Sequence, residues 1–166
     1  MGTKIVVAVV SATQDYQVAQ AADAREAGQK AGVQVEVVSA EGNAIQQIHQ
    51  LYKFIHAPEA ERPFAIVVEP VSTEGMDRLA RNALGAGIGW VVEQWKNDYL
   101  SQLRRENPGL PVVAVTVDEE ETGRIQAAQL RALRPAGGAL LVIQGPLDST
   151  TAVSRFRGVE QNLAGS

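Results

Sequence analysis

A chain of 166 residues, 45% hydrophobic and 20% charged, is long enough to bury one core of ordinary domain size. Its net charge of −4 argues against a nucleic-acid binder that works through a basic surface. The absence of cysteine rules out a disulfide framework, a thiolate metal site and a cysteine nucleophile.

Met1-Gly2-Thr3-Lys4 leads straight into an apolar run. No signal peptide is therefore expected, and the chain either stays in the cytosol or begins after its signal was removed. No run is long enough to span a membrane. The stretch from Ile5 to Val10 is mostly β-branched and too short for a good helix, so it predicts a strand covered on both faces. Ser11 to Tyr16 turns the chain into an alanine-rich helix, Tyr16 to Ala31, which Gly32 stops. Val33 to Val38 alternates in its first half and belongs at or near a sheet edge. Asn43 can cap the next helix, whose expected buried stripe is Ile45, Ile48, Leu51, Tyr52 and Ile55. His49 and His56 lie seven residues apart on that helix, with no third ligand at matching spacing, so they read as solvated side chains rather than metal ligands.

After the charged loop from Pro58 to Pro63, Phe64 to Val68 predicts a third strand that ends in Glu69-Pro70-Val71-Ser72. The helix from Gly75 to Leu84 should bury Met76, Leu79, Ala80 and Ala83. Gly85-Ala86-Gly87-Ile88-Gly89 superficially matches a dinucleotide fingerprint. That motif must follow a strand and open a helix; here it closes a helix and opens a strand, and reads as a cap and tight turn. The fourth strand, Ile88 to Val92, ends in Glu93-Gln94-Trp95, and a helix from Asn97 to Arg105 is broken by Asn107-Pro108-Gly109. Pro111 to Val117 predicts a fifth strand ending at Asp118, a helix cap with Glu121 at capping-box spacing. Glu119, Glu120 and Glu121 suit the positive end of that helix, which runs to Leu133. Pro135 and Gly137-Gly138 turn the chain into Ala139–Ile143, expected as a sixth strand ending in Gln144-Gly145-Pro146. The last helix, Thr150 to Leu163, carries Val153, Phe156, Val159 and Leu163 on one face. Strands alternating with helices call for one three-layer, doubly wound parallel sheet of about six strands, Rossmann-like or flavodoxin-like, in a single α/β domain.

In such a sheet the ligand meets the loops at the carboxyl ends of the strands. Those loops collect Ser11 to Tyr16, Glu69 to Ser72, Glu93-Gln94-Trp95, Asp118-Glu119 and Gln144-Gly145-Pro146. They hold carboxylates, amides and two aromatics, and no lysine or arginine, where a phosphate site would want the reverse. A carboxylate accepts from paired hydroxyls and a ring covers a sugar face, so the set suits a neutral polyhydroxyl ligand; a small cation fits the same list. Each residue taken alone reads equally well as a cap or a solvated turn, and the acidic, aromatic character of the whole set is the stronger signal. A flavodoxin-like FMN site lacks its glycine, and Asp15 would repel phosphate. A receiver domain would end its third strand in aspartate and its fifth in lysine, where Glu69 and Asp118 stand. A hydrolase would place a histidine near a strand end. No catalysis, cofactor or metal is expected.

The chain resembles the amino-terminal lobe of type I periplasmic substrate-binding proteins, the superfamily of ribose- and galactose-binding proteins and LacI-type effector domains. The likeness rests on the opening strand with Gln14-Asp15-Tyr16, on Val68-Glu69-Pro70, on Ala86-Gly87-Ile88-Gly89-Trp90-Val91-Val92, on Val115-Thr116-Val117-Asp118 with Gly123, and on Gly145 with Arg155-Phe156-Arg157-Gly158. It implies two α/β lobes closing on a small ligand, often a sugar, and a periplasmic location, with a membrane transporter or sensor as partner. It assigns ligand contacts to Gln14, Asp15, Tyr16, Gln94, Asp118 and Arg155; the crevice composition adds Glu69 and Trp95. The family often has a second aromatic in the first loop and an arginine where Gln94 stands. Its members are roughly twice this length, so residues 1–133 would be the first lobe and 134–166 the start of a second. A ligand-binding lobe without catalysis is the expected function, with a stand-alone flavodoxin-like regulatory or interaction domain as the alternative. A homodimer through the last strand and helix would cover the apolar run Ala139–Ile143, and folding back as a sixth strand is the other way to bury it.

Overall fold

The computed structural model describes residues 3–95, 98–145, 147 and 149–163; Met1, Gly2, Asn97 and Pro146, which figure in the readings above, lie outside the described residues. The chain divides into two compact units, Met1–Thr116 and Val117–Ser166.

The first unit is built on five parallel strands: β1 (Lys4–Val9), β2 (Gln34–Ser39), β3 (Ala65–Val68), β4 (Gly89–Glu93) and β5 (Val112–Val115), in spatial order β2-β1-β3-β4-β5. The apolar runs form strands because helices cover them, and the half-alternating β2 takes the edge as its pattern predicts. Ile5 sits opposite Val35 on one side and Ala65 on the other, so residues of one parity face the same way across the sheet. Val6, Ile66, Val68, Trp90 and Val92 point to one face and are fully buried. They pack with Leu51 and Ile55 of α2 (Ala44–Ile55), Leu79 and Ala83 of α3 (Met76–Gly85) and Leu103 of α4 (Tyr99–Glu106). Right-handed crossovers put these three helices on one face because each leads the chain in the same direction across the sheet. The crossover from β1 to β2 runs the other way, so α1 (Asp15–Ala31) lies on the opposite face. There Val67 and Val91 are half-buried, and Val113 and Val115 of β5 are exposed.

Asn43 caps α2 as expected, accepting from Gln46 N at 3.0 Å. The α2 stripe is rotated from its expected phase: Ile45 is 69% exposed, and Gln47 is buried in its place. Ile45 lies in the first turn, while Gln47, Leu51 and Ile55 recur every fourth residue on the face that meets the sheet. Met76, Leu79, Ala80 and Ala83 of α3 are buried as their spacing predicts. Gly87, at φ +79°, turns the chain between α3 and β4, which confirms the glycine run as a turn.

The second unit pairs α5 (Glu119–Leu133) with α6 (Thr150–Leu163). Asp118 caps α5, its Oδ1 accepting from Glu121 N at 3.0 Å. Glu121 does not complete a capping box; its carboxylate takes Arg124 Nε at 2.6 Å instead. Asp118→Ala should lower stability by about 1 kcal/mol through loss of that cap, read as a lower urea midpoint by circular dichroism; an unchanged midpoint would reject the cap as a stabilising element. The expected sixth strand is absent. Ala139–Ile143 has no strand assignment, and Leu141 and Ile143 are 86% and 90% exposed. A strand exists only by pairing, and among the described residues no strand pairs with this run.

Candidate functional site

With β1 between β2 and β3, the direction of the crossovers reverses at β1 and β3, and the loops leaving their carboxyl ends bound a crevice. The first wall is the β1–α1 loop. Ser11 is 7% exposed, with its Oγ accepting from Thr13 N and lying 3.2 Å from Thr13 Oγ1. The neighbouring amide, Ala12 N, donates to Glu41 Oε1 at 3.2 Å, and the same oxygen takes Ser39 Oγ at 2.6 Å. Glu41 follows β2 with φ +50°, a left-handed conformation rare for a residue with a side chain. Gln14 is the N-cap residue of α1 without a side-chain capping bond, and Asp15 opens the helix; both are exposed.

Tyr16 is 56% exposed, and its hydroxyl accepts from Gln94 Nε2. Gln94 continues the ladder past β4, its N donating to Val115 O at 2.9 Å, but turns to φ +64°. This second left-handed side-chain-bearing residue directs its amide back across the strand ends, and such backbone strain concentrates at sites that hold ligands. Trp95, the next residue, is half-buried and packs against the main core, so its ring is committed at least in part to stability.

Glu69 follows the last residue of β3 and Glu93 ends β4, on neighbouring strands. Helix α1 sends one glutamine to each. Gln17 Nε2 lies 3.4 Å from both oxygens of Glu69, and Gln20 Nε2 donates to Glu93 Oε2. Burial raises both carboxyls above the ordinary carboxylate range, partly opposed by those amide hydrogen bonds, and the charge of Glu69 pushes Glu93 up further. Because each folded-state pKa lies above its unfolded value, stability is highest below the carboxylate range and falls as pH rises through the raised pKa. Glu93→Gln should therefore raise the melting temperature near neutral pH and leave it almost unchanged at about pH 3. A loss of stability at neutral pH would show that the carboxylate serves the fold.

Behind the β3 loop lies Gln47, 0% exposed. Its Nε2 donates to Glu69 O and its Oε1 accepts from Val71 N, both at 2.9 Å. One buried amide thus clasps the loop that carries Glu69 as a paired strand would.

Of the residues expected at the site, the first unit brings Tyr16 onto Gln94 and sets Glu69 within electrostatic reach of Glu93. Asp118 and Arg155 belong to the second unit. Asp118 is the α5 cap, and Arg155 binds Glu119 Oε2 through Nε at 2.8 Å and Nη2 at 2.5 Å. Gln17, Gln20, Glu41 and Gln47 escaped the sequence reading. The one signal for them was a glutamine at the core spacing of α2.

A family profile described as a periplasmic binding protein domain matches residues 5–166. Among solved structures, the chain is similar to an ABC transporter periplasmic solute-binding protein from Actinobacillus succinogenes 130z with bound D-allose. The identity is 20% and the TM-score 0.80, covering 98% of this chain and 55% of that one. It is also similar to a solute-binding protein from Bacillus halodurans C-125 with bound myo-inositol, at 21% identity and TM-score 0.73, covering 96% and 51%. A third is a Caulobacter myo-inositol binding protein, at 22% identity and TM-score 0.72, covering 98% and 51%. The chain spans about half the length of these structures. No curated protein matches it in sequence.

Proposed function

The chain belongs to the periplasmic binding protein domain family, and from that premise we propose that it binds a small polyhydroxyl ligand, catalyses nothing, and serves as a substrate-binding part of a sugar transporter on the periplasmic side. What supports this most is the Tyr16–Gln94–Glu69–Glu93 arrangement at the strand ends. Its acceptors suit hydroxyl donors, its phenol ring offers an apolar face, and no lysine or arginine stands among these groups to hold a phosphate. Gln14 and Asp15 flank it as further contacts. The solved relatives with bound D-allose and myo-inositol agree with a polyhydroxyl ligand. A thermal-shift screen of aldoses, polyols, FMN and ATP tests the reading: a rise in melting temperature with a sugar or polyol is expected, and tight binding of FMN or ATP would overturn it.

The same reading includes a homodimer. Leu140, Leu141, Val142 and Ile143 are exposed in succession, and an apolar run of this kind favours association. Light scattering at high micromolar concentration should give the mass of two chains; a monomer mass would defeat the dimer.

A further inference from the structure

We propose that Glu69 and Glu93, with Gln17 and Gln20, form a subsite for a protonated amine, so that the ligand is an amine-bearing polyhydroxyl compound such as an amino sugar. This rests on the polyhydroxyl reading above and narrows it.

Acceptors outnumber donors at these strand ends. Two carboxylates on adjacent strand ends offer about eight lone-pair positions. Among the described residues, the side-chain donors that reach them are the two glutamine amides, one of them at a long 3.4 Å. The oxygens of those amides, Gln17 Oε1 and Gln20 Oε1, are themselves buried and receive no donor. Gln17 is 6% exposed, and its amide head lies against Glu69. A buried amide oxygen without a partner is costly, and here two of them adjoin two carboxylates. Among the described residues neither Glu69 nor Glu93 forms an ion pair.

A neutral sugar would supply hydroxyl donors but leave two like charges facing one another. An ammonium group supplies three donors and a positive charge in one compact head. A metal ion is the poorer occupant, because no group of three or more His, Asp or Glu able to hold one occurs among the described residues. The hydroxyls of the same molecule would meet Tyr16 of α1 and Gln94, the residue after Glu93 at the end of β4.

The test is isothermal titration of the full chain near neutral pH with three matched pairs: D-glucosamine and D-glucose, D-galactosamine and D-galactose, D-mannosamine and D-mannose. For at least one pair the amine should bind about tenfold or more tighter than its neutral partner, the size of one charge-assisted hydrogen bond. In the Glu69→Gln/Glu93→Gln double variant, checked for folding by circular dichroism, that preference should fall to about twofold or less. Neutral sugars binding as well as the amines would overturn this inference and leave the polyhydroxyl reading standing. So would a preference that survives in the double variant. No binding by any of the six would also overturn this inference, and the polyhydroxyl reading then stands or falls by the thermal-shift screen.

Discussion

Gly158→Ala should unfold the second unit. A Cβ placed on Gly158 would lie 3.0 Å from Gly123 Cα and closer still to the carbonyl oxygen of Glu120. The relation is mutual, since a Cβ on Gly123 would sit 2.9 Å from Gly158 Cα and nearer yet to Arg155 O. Helices α5 and α6 therefore touch backbone to backbone, and backbone cannot rotate aside as a side chain can. Two effects oppose each other. Alanine in place of glycine favours a helix by about 1 kcal/mol. Forcing α5 and α6 apart costs roughly 1–3 kcal/mol for an ordinary overpacked site and more where both partners are backbone. The clash should win, giving lost helicity by circular dichroism and rapid tryptic cleavage within 117–163. Gly85→Ala is the control, because a Cβ there meets nothing within 4 Å. That variant should be neutral or slightly more stable, and equal behaviour of the two would refute the backbone contact.

Gln47→Leu should be the most damaging single change in the first unit outside its apolar core. The two side chains are close in size, so little cavity opens. What is lost is the partner of Glu69 O and of Val71 N. A buried polar group left unsatisfied costs about 1–3 kcal/mol, and two such groups give roughly 2–6 kcal/mol. The damage should also be local, with the amides of Val71 and Ser72 exchanging with deuterium faster than those of the β1–β3 ladder. Unchanged stability, or a uniform rise in exchange, would show that the amide does not hold the loop.

What could be read from the sequence divides along local and non-local physics. Strands β1, β3 and β4 declare themselves as short β-branched runs, Asn43 and Asp118 as caps, and the α3 stripe as apolar spacing, because each signal lies within one element. Ala139–Ile143 carries the same local signal as β3 and yet forms no strand, since pairing depends on a neighbour that the run itself does not specify. Ile45 was misplaced for a related reason. The apolar count favoured it, but the phase of α2 follows a polar residue, Gln47, whose partners lie more than twenty residues away. The crevice composition was legible as a set of loop residues. Gln17 and Gln20 were not, because nothing in an alanine-rich helix marks which glutamine will meet a carboxylate some fifty to seventy residues later. The packing role of Gly123 and Gly158 is equally silent until two helices meet.

The strand order also sets a timetable for synthesis. Ile5 to Val9 lies one strand in from the edge of the sheet, but its inner neighbour is β3, and Ile5 waits for Ala65 sixty positions downstream. At about 5–20 residues per second the ribosome takes roughly 3–12 s to deliver that partner. Over that interval β1 has only the edge strand β2 to pair with, and α1 and then α2 to cover it. A two-stranded parallel ribbon of this kind is not stable alone. The nascent chain thus presents an adhesive segment for seconds, and its yield in the cell should depend on a holding chaperone at the exit port more than on the stability of the finished fold.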